Sequence, residues 1–243
     1  LLFFFSFPNA REIGQTEITA EEGIEIFQKE KYYLLKKNVE VESDNLSLKA
    51  QNVRAYFDKD LYDIIKIFSI GNVSIKSDNG LDVKGQEVDY IVKNEDIYIR
   101  GKNSFLKNVN FTMISDESIK LKNSTGEFEI NGKNSKLLSE DVEIIGSYIQ
   151  GNYSEINGAN EVDFLQATDE NEVYIKTQKL KMYALKAEFN NKTNIIELYD
   201  SVKIIRDEEL ITGDYAQINT LDDSYKIKSN ESKKVKVLLT DKE

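Results

Sequence analysis

Residues 71–85 read GNVSIKSDNGLDVKG. Two alternating runs, Val73-Ser74-Ile75-Lys76 and Leu81-Asp82-Val83-Lys84, flank a polar turn, and a glycine closes the unit at each end. Successive side chains of a strand point to opposite faces. Each run is therefore apolar on one side and polar on the other. Asp78-Asn79-Gly80 is turn chemistry. The stretch predicts a strand, a turn and a second strand sharing one oily face.

Echoes of this unit run along the chain. Asn38-Val39-Glu40-Val41 and Ser201-Val202-Lys203-Ile204 repeat the first half. Leu46-x-Leu48-x-Ala50 and Leu210-Ile211-Thr212-Gly213 repeat the second. GKNSFL at 101–106 returns as GKNSKL at 132–137. With Lys37, Gly71, Gly101, Gly132, Ala167, Asp200 and Glu231 as markers, the spacings are 34, 30, 31, 35, 33 and 31. A period near 30 residues indicates stacked units that cannot bury their apolar faces alone.

The units predict strands. Ile97 and Ile99, Ile119 and Leu121, Phe128 and Ile130, Val142 and Ile144, Val173 and Ile175, and Val235 and Val237 all sit at period two. Asn131-Gly132 and Asn157-Gly158 predict turns between strands. Only residues 20–36 could hold a short helix, and their periodicity is poor. The single proline, Pro8, interrupts none of these strands. The natural solution is an all-β sheet curled over, or two sheets facing, with apolar rows inside. Ala50, Gly85 and Gly213 suit corners, where a side chain would block a sharp bend.

Composition removes several functions. The net charge is −11, from 43 acidic and 32 basic residues, which argues against nucleic-acid binding. No cysteine and no histidine are present. That excludes disulfides, cysteine nucleophiles, His-based triads and His or Cys metal sites. No cofactor and no metal site is expected, and the protein is expected not to be an enzyme. Acidic clusters such as Glu21-Glu22, Asp207-Glu208-Glu209 and Asp222-Asp223 read as solvated strand faces and turns. A glycosidase would need two carboxylates converging in a cleft. Ser77-Asp78-Asn79-Gly80 lacks the ligand spacing and closing Glu of a calcium loop. Asn-x-Ser triplets such as Asn72-Val73-Ser74 are expected by accident in an Asn-rich chain.

The start, LLFFFSFPNA over residues 1–10, reads as the remnant of a secretory signal: an apolar run, then Pro8-Asn9-Ala10, then charged Arg11-Glu12. It is too short to span a bilayer, which takes about 20 residues. Export is the corresponding expectation.

At this point the sequence resembles the OstA-like (LptA) family of periplasmic lipopolysaccharide-transport proteins. The resemblance rests on GNVSIKSDNGLDVKGQEVDYIVKNEDIYIRG at 71–101 and ELYDSVKIIRDEELITGDYAQINTLDDSYKIKS at 197–229. ITAEEGIEIF at 18–27 matches the family's usual opening. The resemblance implies an elongated open β-jellyroll of stacked antiparallel strands, whose apolar trough holds lipopolysaccharide acyl chains. It implies partners too: lipopolysaccharide, OstA-like domains of inner- and outer-membrane transport proteins, and end-to-end copies of itself. The chain is long for one such module. We expect one module at 11–122, with 123–243 a second module or a continuation of the same trough.

The expected trough lining is Val39, Val41, Leu46, Leu48, Val73, Ile75, Leu81, Val83, Phe105, Phe111, Val202, Ile204 and Leu210. The same rows would also fill an ordinary β core. Open sheets present unpaired edges to other chains. Ile18, Ile24, Ile26, Val235, Val237 and Leu239 are the expected edge contacts. Two other readings stay open. One is a membrane-tethered, LptC-like relative retaining residues 1–7 as anchor. The other is a β-helix acting as an adhesin or a polysaccharide-processing protein, although a β-helix repeat is shorter, roughly 20–25 residues.

Overall fold

The computed structural model describes residues 15–156, 159–222, 224–230 and 234–238. Among these are eighteen strands and no helix. The strands are β1 (Glu17–Thr19), β2 (Gly23–Phe27), β3 (Tyr32–Glu42), β4 (Leu46–Phe57), β5 (Ile64–Ser77), β6 (Asp82–Ile91), β7 (Asp96–Arg100), β8 (Ser104–Lys107) and β9 (Thr112–Ser115). There follow β10 (Ser118–Lys122), β11 (Glu127–Leu138), β12 (Glu143–Ile156), β13 (Ala159–Lys176), β14 (Lys181–Asn190), β15 (Ile195–Arg206), β16 (Glu209–Asn219), β17 (Tyr225–Lys228) and β18 (Lys236–Leu238). Every pairing is antiparallel, and the fold is an open β-jellyroll. The helix considered for 20–36 is not formed. Gly23–Phe27 and Tyr32–Lys36 pair instead as a hairpin, whose ladder the neighbouring β4 extends.

Most long strands break register once near the middle, and there they turn a corner from one wall of the molecule to the other. The breaks lie at Lys36/Val39 in β3, Ile70/Val73 in β5, Asn131/Ser135 in β11 and Tyr199/Val202 in β15. Such irregularities bend a strand sharply. The corner residues are left-handed: Lys37 (φ 63°), Asn38 (48°), Gly71 (83°), Asn72 (47°), Asp200 (63°) and Ser201 (53°). Gly and Asn tolerate that conformation best, which explains the recurring Gly-Asn or Asn step before a valine. The two GKNS segments make one corner twice. The hydroxyl of Ser104 donates to the Gly101 carbonyl at 2.7 Å, and that of Ser135 to the Gly132 carbonyl at 2.8 Å. Asn131-Gly132 is therefore a corner inside β11 and not a turn between strands. The marker at Ala167 falls short of its corner, which lies at the Thr168/Val173 break. Asn157-Gly158 and Glu231 lie outside the described residues.

The two walls are continuous ladders. One inner row of the second wall runs, each residue paired with the next, Ile18, Val41, Leu48, Ile75, Val83, Leu106, Met113, Leu137, Ile144, Ile175, Met182, Ile204, Ile211, Val237. The matching row of the first wall runs Leu35, Val53, Ser69, Val88, Ile99, Ile119, Ile130, Ile149, Ala167, Ala187, Leu198, Ala216. Beside the corners a larger residue faces a small one: Val39 opposite Ala50, Val73 opposite Gly85, Val202 opposite Gly213. A Cβ on Gly85 would lie 2.4 Å from the Ile99 methyl, so the small residue lets the two walls meet. Both ladders run across residues 122 and 123 without interruption, through β9, β10 and β11.

Outside, the polar faces carry cross-strand ion pairs, such as Lys49–Glu40 at 3.0 Å and Arg100 with Glu87 and Asp89 at 3.0 and 2.8 Å. No helix among the described residues is long and apolar enough to cross a membrane.

Candidate functional site

The walls meet along the corner side and part along the opposite side, where the hairpin turns lie. Between them, in the part built from β11 to β16, is a cavity of about 830 Å³. That is the size range of small-molecule pockets, about 300–1,000 Å³. Leu137, Ile144, Ile175, Leu180 and Met182 line it from the second wall, and Leu165, Ala187, Phe189, Ile196 and Ile218 from the first. Its mouth is lined by the turns Ser139–Val142 and Thr177–Leu180 on one lip, and by Asn191 and Thr220 with Glu188 of β14 on the other. The turns are held by their own side chains. Gln178 Nε2 donates to Asp141 Oδ1 at 2.6 Å, tying two turns of one lip together.

The register explains why the space is here. The first-wall row is isoleucine at four consecutive strands, Ile99, Ile119, Ile130 and Ile149, and then alanine at Ala167 and Ala187. Four-carbon side chains give way to single methyls there, and of the two alanines Ala187 borders the cavity. The inner residues before this point, Val83, Val88, Ile99, Leu106 and Ile119, are fully buried and do not border the cavity.

The expected lining is placed as follows. Val39, Val73 and Val202 are buried at the corners, and Leu48, Ile75, Val83 and Ile204 are buried on the second wall. Val41, Leu46 and Leu81 are partly buried against the same core. Phe111 lines the cavity. Phe105 and Leu210 take the other strand parity and face outward: Ser104 and Leu106 flanking Phe105 are buried, as is Ile211 beside Leu210. The Lys84 ammonium lies over the Phe105 ring at 5.3 Å. Their apolar character misplaced them, since an aromatic also serves on an outer strand face. Sequence reasoning missed most cavity residues, Leu180, Phe189, Ile196 and Ile218 among them. The shift from isoleucine to alanine along the row was the available signal, and it is visible only once register is known.

Among the described residues both ends of the walls are open edges. Ile18 and Val237 end the same inner row, 43% and 49% exposed, and Ile24, Ile26, Val235 and Leu238 are exposed beside them. Leu239 and residues 1–14 lie outside the described residues.

The model of a family described as "LptA/(LptD N-terminal domain) LPS transport protein" matches residues 17–224. The chain belongs to this family. The match spans most of both halves of the chain. No curated protein matches the sequence. Among solved structures, LptH of Pseudomonas aeruginosa, described as the LptA homologous periplasmic component of the conserved lipopolysaccharide transport device, is similar at 12% identity. That likeness covers 54% of this chain and 95% of LptH, with a TM-score of 0.45.

Proposed function

We propose that this chain is a non-enzymatic periplasmic carrier that holds lipopolysaccharide acyl chains in its trough and passes them toward the outer membrane. The observation that supports this reading most is the apolar cavity, open to solvent along one side through a polar mouth. Acyl chains would enter between the lips while the head group stays outside. Each buried methylene contributes about 0.8 kcal/mol, so a lipid needs no specific polar contact to be held. The family membership supports the lipid class. The unbroken ladders support a single jellyroll over the whole length, in place of two modules, with its open lumen in the second half.

The exposed end strands support end-to-end pairing with OstA-like domains or with further copies, because strand addition would continue both walls at once. The test is photo-crosslinking in living cells from probes at Leu180, Ile196 and Ile218, with Val73 as the filled-core control. Labelling by lipopolysaccharide at the first three and not at Val73 is expected. Crosslinks only within the protein at all four positions would overturn carriage.

A further inference from the structure

The cavity has a definite inner end. Phe111 stands at the open side of the second wall, just before β9. It reaches across to two aromatics of the first wall, with its ring 5.6 Å from that of Tyr153 and 6.4 Å from that of Phe128. All three are at least nine-tenths buried. Gly151, paired with Phe128 across β11 and β12, has no side chain, and a Cβ there would sit 2.7 Å from the Phe128 ring. That gap is what lets the ring lean over the strand. The Tyr153 hydroxyl donates to Asn123, whose own amide donates to Glu95, so the cluster is anchored from outside the lumen. Phe111 belongs to the cavity lining, whereas Phe128 and Tyr153 lie behind it. Beyond them the inner rows are filled by Tyr90, Ile97, Leu106, Met113 and Leu121.

We propose that the Phe111–Phe128–Tyr153 cluster is a ruler: it blocks the trough at β11 and β12 and sets how long an acyl chain the cavity accepts. This rests on the lipid-carrier reading above and adds to it a length limit and the residue that imposes it. Each methylene that enters gains about fourfold in affinity, and a methylene that meets the cluster gains nothing. Phe111 is the adjustable member, because it sits at the mouth side and comes from the opposite wall. Shortening it lengthens the chamber by the depth of its ring, and enlarging it shortens the chamber.

The test uses saturated lysophosphatidylcholines of increasing chain length as probes, titrated against the full chain and against Phe111→Ala, Phe111→Leu and Phe111→Trp. For the unmodified protein, affinity should climb about fourfold per methylene and then level off at one length. Phe111→Ala should move that plateau to longer chains, Phe111→Leu by less, and Phe111→Trp to shorter chains. The opposite signs keep the test valid if Phe111→Ala fails to fold. Binding with an unmoved plateau in the Leu and Trp variants overturns the ruler and leaves carriage intact. No binding of any chain length to the unmodified protein overturns both.

Discussion

Replacing Ala187 by isoleucine separates a lined cavity from a filled core. Ala187 pairs with Ala167 on one side and Leu198 on the other, and its methyl borders the cavity. Isoleucine would continue the row of Ile119, Ile130 and Ile149 and suits a strand. It adds three carbons, worth about 2.4 kcal/mol when buried at about 0.8 kcal/mol each. If the carbons enter empty space, stability rises by up to about 2 kcal/mol, and Tm rises by roughly 4–8 °C for a chain of this size. The same carbons occupy room that a ligand chain would use. Displacing about three methylenes weakens lipid binding by about fiftyfold.

Ala216→Ile is the control. Ala216 is fully buried in the same row but does not border the cavity. Overpacking there should cost about 1–3 kcal/mol. Thermal unfolding and lysophospholipid titration of the two variants decide the matter. A drop in Tm for Ala187→Ile as large as for Ala216→Ile, or unchanged lipid affinity, would refute the existence of usable space beside Ala187.

Three further outcomes are expected. The Ser69 hydroxyl is fully buried between Val53 and Val88 and has no hydrogen-bond partner among the described residues, so Ser69→Ala should stabilise by roughly 1 kcal/mol in urea unfolding, and destabilisation would refute this. Gly71 and Gly80 are both left-handed, so alanine strains either backbone, but a Cβ would lie 2.7 Å from the Gln51 side chain at Gly71 and 3.2 Å from Val109 at Gly80, so Gly71→Ala should destabilise by about 1–3 kcal/mol and Gly80→Ala by less. Tyr199 and Tyr215 both donate to Glu197. Burial and that carboxylate push the Tyr199 hydroxyl up to about 12, and for Tyr215 the carboxylate comes first and burial second, again up to about 12. A raised tyrosine favours the neutral folded form. The stabilisation is complete below about pH 10, the unfolded value, and is lost as pH rises through 12. Absorbance titration should show two late tyrosinates, and Glu197→Gln should bring them earlier.

Much of the strand content was legible from residues close together in the chain. Alternation at Val73 and Ile75 or Val202 and Ile204 assigns a strand and its oily face, because side-chain direction follows from backbone geometry alone. Corners were legible in part: Ala50, Gly85 and Gly213 stand beside them, whereas the left-handed Lys37, Asp200 and Ser201 carry no glycine or asparagine to announce the bend. The short segment 20–36 misled because weak periodicity over few residues does not distinguish a helix from a hairpin. Its pairing with β4 decides that question. Phe105 and Leu210 misled for a related reason: their parity depends on where the neighbouring corner ends.

By itself, then, the sequence determined that the chain is built of two-faced strands repeating about every 30 residues, with small residues beside their bends. Those are properties of single residues and their immediate neighbours. Only the tertiary structure decided where the lumen is empty. That depends on side chains such as Phe111 and Tyr153, or Ile149, Ala167 and Ala187, which meet across walls and ladders. Whether space is filled is set by the sum of volumes facing it, and residues far apart in the chain contribute to that sum.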